Sequence, residues 1–129
     1  MEDHSKHGIF SWNELLTTDV QAARDFYTKL FGWEAEVVPS EMGDYIIFKV
    51  GEEQVGGLAE LPPQAREMGA PPYWGAYVSV DDVDAVTAKV EEMGGRVLVP
   101  PMDIKGVGRF ATYQDPQGAV ISAITSKME

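Results

Sequence analysis

Apolar and polar positions in the first half of the chain predict a strand, a helix and three further strands. The pattern predicts a strand over residues 9–16. Apolar positions then recur at helical spacing from Val20 to Phe31 and predict a helix. Thr18 and Gln21 form a capping box that predicts the helix start. Gly32 stands where a left-handed C-terminal cap belongs. Shorter apolar runs predict strands over residues 33–38, 45–50 and 55–61.

The same order of elements returns after a proline-rich segment. Residues 62–72 contain two proline pairs, which cannot donate ladder hydrogen bonds and therefore predict a linker. Beyond the linker, the pattern predicts a helix over residues 81–93 that ends at Gly94-Gly95. The predicted strands of this half are residues 73–80, 96–99, 109–114 and 119–125, with a turn-rich excursion over residues 100–108.

A shift of 63 positions aligns the two halves without a gap. The identical pairs are Asp19 with Asp82, Val20 with Val83, Ala22 with Ala85, Gly32 with Gly95, and Gly43 with Gly106. They fall at the helix start and at turns. The sequence therefore predicts an α+β chain with two βαβββ repeats. The expected organisation is a polar tail over 1–7 and one domain over 8–125, with repeat one at 8–61, the linker at 62–72 and repeat two at 73–125.

Composition narrows the choice of partners. The 129 residues include 10 basic and 21 acidic side chains, a formal charge of −11, which disfavours nucleic acid as a partner. The chain has no cysteine, and no apolar run approaches the roughly 20 residues of a membrane helix. The first residues lack the pattern of a secretion signal. We therefore expect a cytoplasmic protein that binds neither nucleic acid nor a membrane.

The two predicted repeats, together with several short motifs, resemble the vicinal oxygen chelate superfamily. The motifs are the Asp-Val helix starts, Phe26-Tyr27, the Leu-Phe-Gly-Trp at 30–33 and the Asp-Pro-Gln-Gly at 115–118. The superfamily includes glyoxalase I, extradiol dioxygenases, fosfomycin-resistance enzymes and bleomycin-binding proteins. The resemblance covers residues 8–125, and residues 71–124 are most similar to a glyoxalase-like branch. It implies a curved, partly open, barrel-like mixed sheet with the helices outside.

The resemblance also implies where a metal would bind. Metal-dependent members hold a divalent ion through four His, Gln or Glu side chains, on the first and last strands of each repeat. The matching positions here are Trp12, Ala59, Gly75 and Ser122. None is a credible ligand, because indole, methyl and glycine offer no available lone pair and a lone hydroxyl is a poor donor. We therefore expect no metal and no cofactor. His4 and His7 are expected to be solvent contacts in the tail.

Strand alternation predicts which side chains line the binding pocket. The set is Trp12, Glu14, Tyr45, Lys49, Tyr77, Phe110, Thr112 and Ser122. Trp12 and Phe110 either contact a ligand or fill the former metal cavity as core. Glu14 is either an ion-pair partner of Lys49 or a general base whose pKa is raised by apolar neighbours. Arg109 is expected at a rim or paired with a surface carboxylate, and Trp74 is expected to make a packing or dimer contact.

Three functions are compatible with these residues. The favoured one is a metal-free binding module for a small aromatic or cationic molecule, as in the bleomycin-binding relatives. The alternative is a glyoxalase-like enzyme, of lyase, isomerase or dioxygenase type, that uses Glu14 as a base or an atypical metal site. The third is a regulatory or structural dimer whose pocket is vestigial. The resemblance implies a homodimer in each case.

Overall fold

The computed structural model describes residues 6–39, 45–104 and 108–126. The first repeat contains β1 (Phe10–Thr17), α1 (Val20–Phe31), β2 (Glu34–Val38), β3 (Tyr45–Val50) and β4 (Glu53–Glu60), and a short helix α2 (Pro63–Glu67) follows. The second repeat contains β5 (Tyr73–Ser79), α3 (Val83–Val90) with a 3-10 turn at Glu91–Met93, β6 (Arg96–Ile104), β7 (Gly108–Gln114) and β8 (Val120–Ser126). The predicted α+β class and the two βαβββ repeats are confirmed.

Two compact units make up the chain, and one of them is Trp12–Gly75. Its strands lie in the order β2-β3-β4-β1, with antiparallel pairs except for the parallel β4 and β1. One face of this sheet packs on α1. Leu15, Ile46, Phe48 and Leu58 are buried there, against Val20, Ala23 and Tyr27 of the helix. Because side chains alternate along a strand, the neighbouring positions project from the opposite face.

The other unit consists of two parts of the chain, the residues before Trp12 and the residues from Ala76 onwards. Its strands lie in the order β5-β8-β7-β6, with β5 and β8 parallel and the other pairs antiparallel. The core holds Val80, Val83, Ala111, Tyr113 and Ala123, packed against Val86 and Val90 of α3. The four strands of this unit therefore repeat the plan of the other unit, with the helix packed on one face.

Aspartates cap both long helices at equivalent positions of the repeats. The Asp19 carboxylate accepts a hydrogen bond from the Ala22 amide at 3.0 Å, and Asp82 accepts from Ala85 at 3.2 Å. The predicted capping box of Thr18 and Gln21 is therefore wrong, because the N-cap lies one residue later. Gly32 has φ 75° and its amide donates to the Thr28 carbonyl, so its predicted cap is confirmed.

Two segments contain more structure than the sequence predicts. The linker holds α2, and β6 continues through Pro100 and Pro101, where a turn-rich excursion is predicted. β6 ends the strand order and pairs with β7, with register shifts between Val97 and Met102. An outer strand with such irregularities tolerates residues that lack an amide hydrogen. His4, Gly43 and Gly106 lie outside the described residues.

Within residues 6–39, 45–104 and 108–126, none of the helices combines the length and the apolar composition that a membrane-spanning segment requires.

Candidate functional site

Four polar aromatic and acidic side chains gather in the first unit. Leu15, Ile46 and Leu58 face α1, so Trp12, Glu14 and Tyr45 project from the other face of the sheet. Trp12 Nε1 donates a hydrogen bond of 3.0 Å to the Tyr45 hydroxyl. Tyr45 is also hydrogen-bonded to the Glu14 carboxylate. We call Trp12, Glu14, Tyr45 and Tyr73 the Trp12 cluster; it brings together three of the residues that the sequence places in the pocket.

Gly57 provides the space that the Tyr45 ring occupies. Gly57 lies opposite Glu14 on β1 and opposite Ile47 on β3. A Cβ atom at Gly57 would overlap the Tyr45 hydroxyl and would lie 3.2 Å from Trp12 Nε1. Any side chain at this position would therefore displace Tyr45 and the hydrogen bond that it accepts from Trp12.

Tyr73 is a member of the cluster that the sequence analysis misses. Its ring folds across Gly75 two residues later, with Cε2 only 3.2 Å from the position of a Cβ on Gly75. The same Cβ position lies 3.8 Å from the Glu14 carbonyl oxygen, which places the ring beside β1. Strand alternation does indicate this position, since Tyr73 is the first residue of β5 and has the same parity as Gly75.

The environment of the cluster keeps both phenols in the neutral form. Burial raises the pKa of Tyr45 well above its ordinary value, and the negative charge of Glu14 raises it further. The hydrogen bond that Trp12 donates lowers the pKa of Tyr45, and the bond to Glu14 raises it, both by less than burial does. Burial and then Glu14 raise the pKa of Tyr73. The cluster therefore presents two neutral phenols beside Glu14.

Lys49 lies on the same strand as Tyr45 and has a partner that the sequence did not indicate. Its Nζ is 3.4 Å from Glu36 Oε1, and the two residues belong to the paired strands β2 and β3. From the sequence, Glu14 is one expected ion-pair partner of Lys49, because no local pattern specifies the register of β2 on β3. The ammonium group of Lys49, on the same strand as Tyr45, therefore forms an ion pair with Glu36.

The remaining predicted pocket residues belong to the second unit and share one face of its sheet. Thr112 and Ser122 stand directly opposite each other on β7 and β8, and their hydroxyls are hydrogen-bonded at 2.7 Å. Both are buried, at 7% and 6% exposure. Tyr77 pairs in register with Ser122, and its ring lies 6.3 Å from that of Phe110. The structure therefore brings Tyr77, Phe110, Thr112 and Ser122 together.

Arg109 points to the opposite face, as its parity predicts. Its guanidinium contacts both carboxylate oxygens of Asp84, at 2.8 and 3.0 Å, and Asp103 at 3.1 Å. These hydrogen bonds hold the pKa of Asp84 below its ordinary value. The expected pairing with a surface carboxylate is confirmed. Arg109 ties α3 to the β6–β7 pair and does not join the residues around Thr112.

Two further side chains make packing contacts. Trp74 Nε1 donates to the Tyr27 hydroxyl at 3.2 Å, and the indole stacks edge-on against that ring, so the predicted packing contact is confirmed. His7 has a backbone partner that the sequence did not indicate, since its Nδ1 accepts a hydrogen bond from the Asp81 amide at 3.0 Å. Neither residue belongs to the Trp12 cluster.

The side chains at the metal-ligand positions of the superfamily do not fit a divalent ion. The Trp12 indole donates to Tyr45 and has no free lone pair, and Gly75 and Ala59 have no donor atom. The Ser122 hydroxyl is hydrogen-bonded to Thr112. Within residues 6–39, 45–104 and 108–126, no group of three His, Cys, Asp or Glu side chains is arranged to hold a metal.

Comparison with known proteins gives a family match over most of the chain. Residues 9–122 match the Glyoxalase/Bleomycin resistance protein/Dioxygenase superfamily. "Putative glyoxylase CFP32" of Mycobacterium tuberculosis is 44% identical over 118 residues, 90% of this chain and 45% of that protein. "Anthracycline biosynthesis protein DnrV" of Streptomyces peucetius is 39% identical over 126 residues, 89% of this chain and 46% of that protein.

A solved structure supports the fold assignment. Methylmalonyl-CoA epimerase of Streptomyces coelicolor superposes with a TM-score of 0.62 at 20% identity, covering 95% of this chain and 100% of that one. At this identity the likeness concerns the fold alone. This chain spans less than half the length of the mycobacterial and streptomycete relatives that it matches in sequence.

Proposed function

Because the chain belongs to the Glyoxalase/Bleomycin resistance protein/Dioxygenase superfamily, we propose that it binds a small molecule without the divalent metal that many members use. The Trp12 cluster is the observation that carries this proposal. Its three aromatic side chains offer flat apolar surface, and Glu14 and the phenols offer a few oriented polar groups. This combination is typical of small-molecule sites. We propose an aromatic or cationic molecule as the ligand.

The donor chemistry at the superfamily's metal positions supports a metal-free site. An indole that already donates its N–H to Tyr45 and a glycine crossed by the Tyr73 ring stand at two of these positions. Elemental analysis of the purified protein tests this part directly. A stoichiometric divalent ion retained after dialysis against a chelator would refute it.

Thermal-shift screening and calorimetry test the binding itself. We expect members of a panel of aromatic amines to stabilise the native protein, because a ligand that binds only the folded state raises its melting temperature. Trp12→Leu should abolish the shift. Trp74→Leu is the matched control, since Trp74 packs on Tyr27 outside the cluster. The proposal is wrong if no compound stabilises the protein, or if both variants lose binding equally.

The hydrogen bond between Tyr45 and Glu14 favours one alternative function, a glyoxalase-like enzyme with Glu14 as general base. A carboxylate held in place by a phenol is suited to remove a proton from a carbon acid. Because the mycobacterial relative is named a putative glyoxylase, glyoxalase-type substrates are the first compounds to try. Proton NMR in D2O would follow the exchange of the carbon-bound proton of the substrate for deuterium. Glu14→Gln should abolish it while Glu36→Gln retains it; equal activity of the two variants would exclude this role.

We further propose a homodimer, in a cytoplasmic setting that suits a chain without cysteine. The two curated relatives are more than twice as long as their matched segments, so they have room for a second domain of this size. A second copy of this chain would take that place. Light scattering should give twice the chain mass of 14.2 kDa; a monomer at micromolar concentration would refute the assembly. A dimer that binds nothing in the screen above would favour the third alternative, a structural or regulatory role.

A further inference from the structure

We infer that a second copy of this chain docks on an exposed aromatic surface at helix α1. The surface consists of Phe26, Leu30 and Phe31 of α1 together with Trp74, and we call it the α1 face. All four residues belong to the unit Trp12–Gly75. This inference rests on the homodimer proposed above and names the surface through which the two copies meet.

The first step concerns exposure. Phe26, Leu30 and Phe31 are 57%, 56% and 58% exposed, and Trp74 is 40% exposed. Because a large aromatic side chain offers about 150–250 Å² of surface, the four side chains together leave roughly 400 Å² of apolar surface in water. A contiguous apolar patch of this size on a soluble protein marks an interaction site.

The second step concerns the continuity of the patch. The Tyr27 ring lies 4.9 Å from the Phe26 ring and 6.2 Å from the Phe31 ring, measured between centroids. The Trp74 ring lies 5.3 Å from the same tyrosine and donates its Nε1–H to the Tyr27 hydroxyl at 3.2 Å. Leu30 stands one turn after Phe26 on the same side of α1. The exposed rings are therefore fixed around Tyr27 before docking, which lowers the entropy cost of association.

The third step concerns charge. The chain carries a formal charge of −11, so two copies repel each other in most orientations. Helix α1 differs from the rest of the chain, because it contains two basic residues, Arg24 and Lys29, and one acidic residue, Asp25. Arg24 Nε lies 3.8 Å from Asp25 Oδ1, so these two charges largely compensate each other. Two copies that meet at α1 therefore bring exposed rings together without a local excess of negative charge.

The fourth step concerns the area that a dimer needs. A stable interface buries about 1,200–2,000 Å² in total, and somewhat more than half of that area is apolar. A two-fold axis presents the same surface on both copies, so two α1 faces contribute roughly 800 Å² of apolar area. This is the apolar share of an interface of ordinary size. The mycobacterial relative matches this chain over less than half of its own length, so it has enough further chain to cover the equivalent face itself.

Sedimentation equilibrium on wild type and two charge-matched variants tests the inference. Phe26→Glu places a carboxylate in the α1 face, and Phe10→Glu makes the same change at a phenylalanine that is 68% exposed and lies outside the face. Wild type and Phe10→Glu should sediment at twice the chain mass of 14.2 kDa. Phe26→Glu should raise the dissociation constant of the dimer by about a hundredfold or more, because an anchoring aromatic ring is replaced in both copies. Circular dichroism checks that each variant is folded.

Hydrogen exchange on wild type is a second measurement that needs no substitution. The amides of α1 should exchange more slowly at a concentration where the protein is dimeric than after dilution to the monomer, whereas those of α3 should change little. A dimer whose α1 exchange ignores dilution, or equal effects of Phe26→Glu and Phe10→Glu, overturns the inference and leaves the proposed homodimer standing. A monomeric wild type overturns both, whereas small-molecule binding is judged by the ligand screen. Protection of α1 only in the presence of phosphatidylcholine vesicles would assign the face to a membrane surface and also overturn the inference.

Discussion

Replacement of Gly57 by alanine should disrupt the Trp12 cluster through one methyl group. The added Cβ would overlap the Tyr45 hydroxyl, and it would lie 3.2 Å from Trp12 Nε1. β4 cannot move away easily, since Gly57 is paired with Glu14 on one side and with Ile47 on the other. The tyrosine ring must therefore leave its position, and its hydrogen bond with Trp12 is lost.

The expected cost follows from three contributions. Overpacking of a close-packed site costs about 1–3 kcal/mol. Loss of the Trp12–Tyr45 hydrogen bond costs about 1 kcal/mol. Replacing glycine by alanine within a strand returns about 0.5–1 kcal/mol, because the unfolded chain loses conformational freedom. The free energy of unfolding should fall by about 2 kcal/mol, which corresponds to a melting temperature lower by about 8 °C for a domain of this size.

Urea denaturation followed by tryptophan fluorescence measures this change, and Gly56→Ala is the matched control. Gly56 is the adjacent residue on β4, and a Cβ there would lie 3.3 Å from the Asn13 carbonyl oxygen and 3.7 Å from Trp74. We expect it to cost less than about 1 kcal/mol, because no ring must leave its place. In a Tyr45→Leu background the cost of Gly57→Ala should largely disappear. A Gly57→Ala protein as stable as wild type, or an undiminished cost in the Tyr45→Leu background, would refute the packing argument.

Three other changes have expected outcomes. Thr112→Val should lower the free energy of unfolding by about 1–3 kcal/mol, because it leaves the buried Ser122 hydroxyl without its partner. Urea denaturation should show that the double change Thr112→Val with Ser122→Ala costs less than the sum of the two single changes. Arg109→Gln should raise the pKa of Asp84 towards its ordinary value in an NMR titration. Because the pKa of Asp84 is lowered in the folded state, its pairing with Arg109 stabilises the folded protein fully above about pH 3.9. This stabilisation is lost as the pH falls through the folded pKa of Asp84. Wild type and Arg109→Gln should therefore converge in stability in acid. Asp19→Ala should cost about 1 kcal/mol in thermal unfolding, whereas Thr18→Ala, which removes the predicted cap, should cost less.

Local chemistry made the repeat and the faces of its strands predictable. The Asp and Gly residues at helix ends fix boundaries, because an aspartate can cap free amides and a glycine can adopt the left-handed conformation. Alternation along β3 correctly separated Ile46 and Phe48, which pack on α1, from Tyr45, which joins Trp12 and Glu14. These features depend on neighbours a few residues away along the chain.

Features that depend on distant strands were not predictable in the same way. The Glu36–Lys49 ion pair follows from the register of β2 on β3, which no local pattern specifies. The continuation of β6 through Pro100 depends on its outer place in the strand order. Gly57 carried no signal of its own, because its role is to leave space for a ring that lies on another strand.

The substitutions at two metal-ligand positions of the superfamily are best understood as one structural change. A ligand side chain at Gly75 would meet the Tyr73 ring, which already lies 3.2 Å from the position of its Cβ. A ligand in place of Trp12 would leave the Tyr45 hydroxyl without the indole N–H that it now accepts. Restoring either ligand alone therefore disturbs an aromatic contact without completing a metal site. The bulky indole at one position and the absent side chain at the other are both needed for Trp12, Tyr45 and Tyr73 to gather around Glu14.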